Sequence, residues 1–276
     1  MINLKAVSGL PLQFDKDELL FDSDLDSQGK ATISLDNIRG ELLNKSLSCP
    51  DHICNTYIQI DQKGVLKQRK LRYDVVVMQP NLAGIEYVKT KGHYNDLVTS
   101  KDSLPEIVEV LSGWLTVLLQ RPRVKPSQNG SGWTSVTDMF DFNRLEDIIV
   151  IRLKKSDKLV IPSGWGHVFI NTRQVPVIYG MLRNSDEFTV RRFIPEQGAG
   201  YYLIRKNARQ EVVRNPNYKI VPKHRKGDTK FVLKELGITE KTPIVKQVIR
   251  KSERFSWLQK PGMVNWNKII QAYLTN

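Results

Sequence analysis

Apolar residues recur through the middle of this chain in short runs, not at helical spacing. YDVVVMQ (73–79), IEYVKT (85–90), EIVEVL (106–111), WLTVLLQ (114–120), DIIVIRL (147–153), LVIP (159–162), HVFIN (167–171) and PVIYGML (176–182) are each four to eight residues long and rich in β-branched or aromatic side chains. Gly, Pro, Asn, Asp or Ser bound them, which is the pattern of β-strands. LSGW, between two of the runs, reads as a tight hairpin. Strands in this number with no long helical pattern between them predict an antiparallel sandwich or barrel. The stretch 121–146 is rich in Pro, Gly, Ser and Asn and reads as a long loop. Ahead of the strands lie an acidic stretch from Asp15 to Asp26, a short helix at LDNIRGELLN and a strand candidate at NTYIQI.

Charge divides the chain where hydropathy does not. Of the net +13, residues 201–276 carry 17 Lys/Arg against 5 Asp/Glu, while the first 200 residues carry 25 against 24. We therefore expect a near-neutral domain over 1–200 and a basic C-terminal extension over 201–276. Within the extension, FVLKELGI and VNWNKIIQAYL are amphipathic, but its apolar residues are too few for an independent core. A 40% hydrophobic and 26% charged composition is that of a soluble globular protein. No run approaches the roughly 18 apolar residues of a membrane span. The N-terminus lacks a basic segment followed by an apolar one, so a cytoplasmic location is expected over secretion. Two cysteines, Cys49 and Cys54, fit a reducing compartment. CPDHIC sets His52 between them, yet two ordinary thiols in a loop is a simpler reading than zinc. Phe255, Trp257 and Tyr218 are interleaved with Lys/Arg, but no recognisable module is present, so nucleic acid is not an expected partner.

The four histidines are His52, His93, His167 and His224. His52 and His224 stand outside any constellation and read as surface residues. His93 lies in TKGHYN, Glu106 opens PEIVEVLSG, and His167 follows the Gly-rich turn of IPSGWGHVFIN. A histidine, a carboxylate and a histidine at the ends of neighbouring strands are the donors that a metal site in a barrel mouth requires. Strand alternation sends His93 and Asn95 to one face, and Tyr94 and Asp96 to the other. Glu109 reads as part of a solvated strand edge, and Trp114 and Trp165 as core or pocket wall.

Pro162, Gly164, His167 and Asn171 resemble the second cupin motif, and Glu106 with Gly113 matches the end of the first. The fuller string GIEYVKTKGHYN, PEIVEVLSGWLTVLLQ, IPSGWGHVFIN is similar to the cupin-type (archaeal-type) glucose-6-phosphate isomerases over about residues 7–215. The resemblance implies a mainly β cupin double-stranded β-helix, a jelly-roll barrel, with an N-terminal extension and a basic, partly helical C-terminal one. It implies a metal-dependent isomerase interconverting glucose 6-phosphate and fructose 6-phosphate in glycolysis and gluconeogenesis, assembled as a homodimer. One divalent ion (Fe, Mn, Ni or Zn) would be held by His93, Glu106 and His167, with Asn95 at the place of a fourth ligand. Glu106 and His167 would be catalytic, while Thr90, Gly92 and Trp165 would face the sugar phosphate, Thr90 and Gly92 at its phosphate. The chain departs from the family pattern at Asn95 (histidine), Val108 (tyrosine), Val76 (threonine) and Ser156 (glycine). An amide oxygen is a harder and weaker ligand than imidazole, so the site should lean toward oxygen-preferring ions. These departures motivate an alternative, a catalytically degenerate cupin that binds a sugar phosphate or acts through its basic tail.

Overall fold

The apolar runs form strands whose two faces are both covered. The computed structural model describes residues 1–48, 50–126, 132–185, 189–190 and 197–275. Its principal strands are β1 (Lys30–Ser34), β2 (His52–Tyr57), β3 (Leu71–Met78), β4 (Tyr94–Asn95), β5 (Glu106–Ser112), β6 (Trp114–Val124), β7 (Phe140–Lys154), β8 (Lys158–Ile161), β9 (Gly166–Ile170), β10 (Val177–Asn184), β11 (Tyr201–Lys206), β12 (Arg209–Arg214) and β13 (Arg225–Gly227). A six-stranded sheet has the order β8-β5-β10-β3-β2-β1, and a four-stranded sheet the order β9-β6-β7-β13. Val76, Val108, Tyr179, Leu119, Ile149 and Phe169 from the two sheets share one buried core. The ring centroids of Phe169 and Tyr179 meet across it at 4.8 Å. The outer face of the second sheet is buried too: Leu118, Ile148, Val150 and Val168 pack under Phe140, Tyr201 and Tyr218. That explains why DIIVIRL reads as a continuous apolar run instead of an alternating one. The architecture is the cupin jelly roll that the sequence predicts.

Two local expectations are corrected. LSGW does not make a hairpin, because β5 pairs with β8 and β10 whereas β6 pairs with β7 and β9. Gly113, at φ 79°, instead passes the chain from one sheet to the other. A Cβ there would lie 2.7 Å from the Pro176 carbonyl oxygen, so both the conformation and the approach demand glycine. The stretch 121–146 is also not one long loop. β6 runs on to Val124, a short helix spans Val136–Met139, and β7 opens at Phe140. Phe140 and Phe142 pack against Tyr94, and these apolar anchors are hidden in an otherwise polar stretch. Residues 127–131 of that stretch lie outside the described residues.

The charge boundary at residue 200 is not a packing boundary. β11 and β12 form a hairpin through Asn207 and Ala208, both at positive φ, and β11 joins the strand Glu86–Tyr87. Helices α1 (Lys230–Glu235), α2 (Ile244–Arg250) and α3 (Trp266–Leu274), with the 3-10 turns of Ser252–Leu258 between the last two, then place Val232, Ile244, Val248, Phe255, Trp257 and Tyr273 in the same core as the barrel. The extension covers the β8 edge of the six-stranded sheet. Val160 N–H donates to the Tyr273 hydroxyl at 3.1 Å, and that hydroxyl donates back to the Val160 carbonyl. Glu109, expected on a solvated edge, is 1% exposed beneath this cover and pairs with Lys158 at 2.9 Å. Of the two expected surface histidines, His52 is half-buried with its ring 3.0 Å from Asn55 Oδ1. Cys54 is a free, buried thiol pushed up to about 12 by burial, and Cys49 lies outside the described residues. No helix among the described residues is long and apolar enough to cross a membrane.

Candidate metal centre

Backbone pairing, more than sequence distance, brings the two histidines together. His93 N–H donates to the His167 carbonyl at 3.4 Å, and His167 N–H donates to the His93 carbonyl at 3.1 Å. Their rings stand edge to face with centroids 4.3 Å apart. Gly166 permits the approach of this segment, since a Cβ there would lie 2.6 Å from the Tyr94 ring. Tyr94 itself points to the opposite face, where its hydroxyl accepts from Gln120 Nε2 at 2.8 Å. Glu106, the first residue of β5, reaches the pair from the other sheet. Its Oε1 lies 3.6 Å from His93 Nε2 and 3.9 Å from His167 Nε2. One ligand atom from each of the three residues falls within 4.8 Å of the others.

These groups are buried without being satisfied. Among the described residues, His93 Nε2, both ring nitrogens of His167, Glu106 Oε2 and Asn95 Oδ1 have no hydrogen-bond partner. Buried polar atoms are rarely left so, and several converging in one place call for an absent partner. Electrostatics sets them in the forms that bind a cation. Burial alone would raise the Glu106 carboxyl. The neighbouring His167 and His93 and the Arg183 guanidinium outweigh it and hold the group below the usual carboxylate range. His167 is pushed down to about 3, by burial first and then by the charge of His93, so its imidazole is neutral at physiological pH. A carboxylate and a neutral imidazole are the protonation states that metal ligation requires. Two imidazole nitrogens with one carboxylate oxygen suit a divalent transition metal. The residues present therefore fit such an ion.

The family model for glucose-6-phosphate isomerase matches residues 52–221, more than half of the chain, and spans every residue of this cluster. The chain belongs to that family. Among curated relatives, the glucose-6-phosphate isomerase of Pyrococcus abyssi is 26% identical over 55% of this chain and 67% of its own length. That of Thermococcus litoralis is 25% identical over 56% of this chain and 67% of its own. Of solved structures, a Lactobacillus farciminis oxalate decarboxylase with formate superposes with a TM-score of 0.31 at 16% identity, over 50% of this chain and 31% of that one.

Against the family's ligand positions, this isomerase-family chain keeps His93, Glu106 and His167 together and turns Asn95 differently from expectation. The Asn95 amide nitrogen donates to Glu106 Oε1 at 2.8 Å and to the Leu104 carbonyl at 2.9 Å. Its oxygen, the atom expected to ligate, is thereby aimed away from that carboxylate oxygen. Thr90 and Gly92 are engaged within the chain. Phe169 N–H donates to Thr90 Oγ1 at 3.1 Å, and Gly92 N–H donates to Glu41 Oε2 at 3.3 Å. Glu41 is 1% exposed, and its carboxyl is pushed up to about 7 by burial, against the Lys89 charge and the Gly92 N–H. Trp165 lines cavities shared with Arg121, Asn267 and Ile270 of α3. Sequence reasoning missed Asp74, Arg72 and Arg183, whose roles depend on which strands pair. The β3–β10 register is the signal that finds them.

Proposed function

We propose that this chain is a metal-dependent aldose–ketose isomerase converting glucose 6-phosphate and fructose 6-phosphate. One observation carries the proposal: in a chain of this family, His93, Glu106 and His167 converge, and each brings a buried donor atom that no group among the described residues satisfies. Those three would hold the ion, which when bound supplies Lewis acidity to the oxygens on C1 and C2. Glu106 is the general base, moving a proton between those carbons, a role contributing about 10²–10⁴-fold. Asn95 positions the Glu106 carboxylate by donating to one of its oxygens, leaving the other open. His167 presents a neutral ring nitrogen, fixed in place by its backbone pairing with His93. The surrounding apolar groups, Val108, Phe169 and Tyr179, keep water from the reacting carbons.

The proposal places the chain in the cytoplasm, at this step of glycolysis and gluconeogenesis, as a homodimer. Because the extension covers the β8 edge, pairing of two copies would have to use another surface, such as the exposed edge strand β1. A coupled assay on purified protein, reconstituted in turn with Fe²⁺, Mn²⁺, Ni²⁺ and Zn²⁺, tests the activity. Turnover with at least one ion is expected. Silence with all four, in folded protein, would leave the degenerate-cupin alternative standing.

A further inference from the structure

Cations of the basic extension are balanced by carboxylates in some places and not in others. Arg225 pairs with Asp147, and Lys268 with Glu235. The cavity between β7 and α3 is mixed in the same way, with Arg121, Lys223 and Arg225 set among Glu146 and Asp147. A second cavity, of about 150 Å³, lies within the extension itself, between the loop 237–242 and the C-terminal end of α2. Arg250, Lys251 and Arg254 line it together with Thr239 and Thr242, and no carboxylate does. Glu240 and Glu253, the nearest acids along the chain, are not among its lining residues. All three cations are exposed, and their side chains make no ion pair or hydrogen bond among the described residues. Backbone carbonyls do not stand in for the missing acid. Gln247 Nε2 donates to the carbonyls of Thr239 and Thr242, at 2.7 Å each, and Thr239 N–H donates to Gln247 Oε1 at 2.8 Å. These bonds from a buried side chain pin the loop to α2 and use carbonyls that could have received the cations. Gly237, at φ 65°, leaves one side open, since a Cβ added there would meet nothing within 4 Å.

Three cations so placed repel one another, and the dipole of a helix C-terminus favours only those in its last turn. A multiply charged anion completes the arrangement. Guanidinium groups grip phosphoryl oxygens with paired hydrogen bonds, and a lysine adds a point charge. We propose that this cavity binds a soluble phosphorylated small molecule, its phosphoryl group seated among Arg250, Lys251 and Arg254. The cavity takes the charged head alone, and the rest of the ligand leaves past Gly237. The site lies beyond residues 52–221, which the isomerase family model matches, and shares no residue with the His93, Glu106 and His167 cluster. It therefore does not rest on the isomerase reading.

Calorimetric titration of the purified full chain with inorganic pyrophosphate, at physiological ionic strength and without added metal, tests the site. Wild type should bind, Arg250→Met and Arg254→Met should each weaken binding about tenfold or more, and the double variant should not bind. Pyrophosphate should likewise raise the melting temperature of wild type and leave that of the double variant unmoved. Lys206→Met and Arg214→Met discharge exposed positions elsewhere in the extension and should leave affinity unchanged. Wild type that binds no pyrophosphate would overturn the inference. So would binding that survives in the double variant, since the anion would then lie elsewhere, the barrel included. An equal loss in the Lys206 and Arg214 variants would overturn it too, because the anion would be answering the net charge and not this cavity. Cosedimentation with phosphatidylserine vesicles, lost in the double variant, would overturn the choice of a soluble ligand in favour of a lipid headgroup; none is expected. Arginine-dependent pyrophosphate binding in a chain without turnover would keep this site and remove the isomerase reading. The three cations are exposed, so replacing them should not lower the urea midpoint, and Lys251→Gln repeats the test should an arginine variant fail to fold.

Discussion

Glu106 and Glu109 lie on one strand, three positions apart, and both are buried. Odd spacing sends them to opposite faces, and their surroundings then diverge. Glu109 meets Lys158 at 2.9 Å and accepts from the Ile244 N–H at 3.1 Å, so both of its oxygens are satisfied. Lys158 in turn donates to the carbonyls of Glu240 and Ser156. Glu106 shares one oxygen with Asn95, and its other oxygen has no partner among the described residues, next to two imidazoles in the same condition. Burial raises Glu109, while Glu106 is held low despite it. A buried carboxylate is therefore no mark of function by itself. What distinguishes the two is completion: the Glu109 network closes within the protein, and the Glu106 network closes only with something added.

Exchanging Glu106 for Gln should break the functional side of this contrast. Turnover should fall by about 10²–10⁴-fold and bound metal should drop on elemental analysis, with the unfolding midpoint little changed. The same experiment on the structural side should give the reverse. Glu109→Leu strands the Lys158 charge and should cost roughly 3–5 kcal/mol in urea unfolding. Adding Lys158→Met should recover most of that loss, and turnover per folded molecule should stay near wild type in the double variant.

Glu41 offers a third case, buried yet only half satisfied, with Oε1 unpartnered among the described residues. Burial pushes its carboxyl up to about 7, well above the ordinary carboxylate value. In that window the folded chain holds the proton that the unfolded chain has released, so wild-type stability should fall as pH rises through it. Glu41→Gln should therefore stabilise the protein at pH 8 by up to roughly 3 kcal/mol and by almost nothing below pH 4.5, as denaturant curves at the two pH values would show. The smallest expected effect is at the edge cover. Tyr273→Phe removes the hydroxyl paired with Val160 and should lower stability by about 1 kcal/mol, read from the urea midpoint.

Much of this was legible along the chain. β-branched runs and their Gly/Pro punctuation gave the strands, since strand propensity and turn chemistry are local. The spacing of His93, Glu106 and His167 suggested one metal site, because alternation and strand ends constrain where side chains point. LSGW misled because a glycine turn looks the same whether the next strand pairs with the last or crosses to another sheet. Glu109 read as solvated because nothing local reveals that residues some 130 positions later will cover it.

The sequence by itself determined the strands, the donor types and their faces, and the family, all properties of near neighbours and of short motifs. Only the tertiary structure decided that the basic extension shares the barrel's core, that Asn95 gives Glu106 its nitrogen, and that Glu41 takes the Gly92 N–H. It alone set Arg72 and Arg183 on either side of Asp74. The physical reason is common to all of these. Whether a buried polar atom is satisfied depends on groups that long-range strand pairing and packing bring within about 3 Å, and no local pattern in the chain encodes that distance.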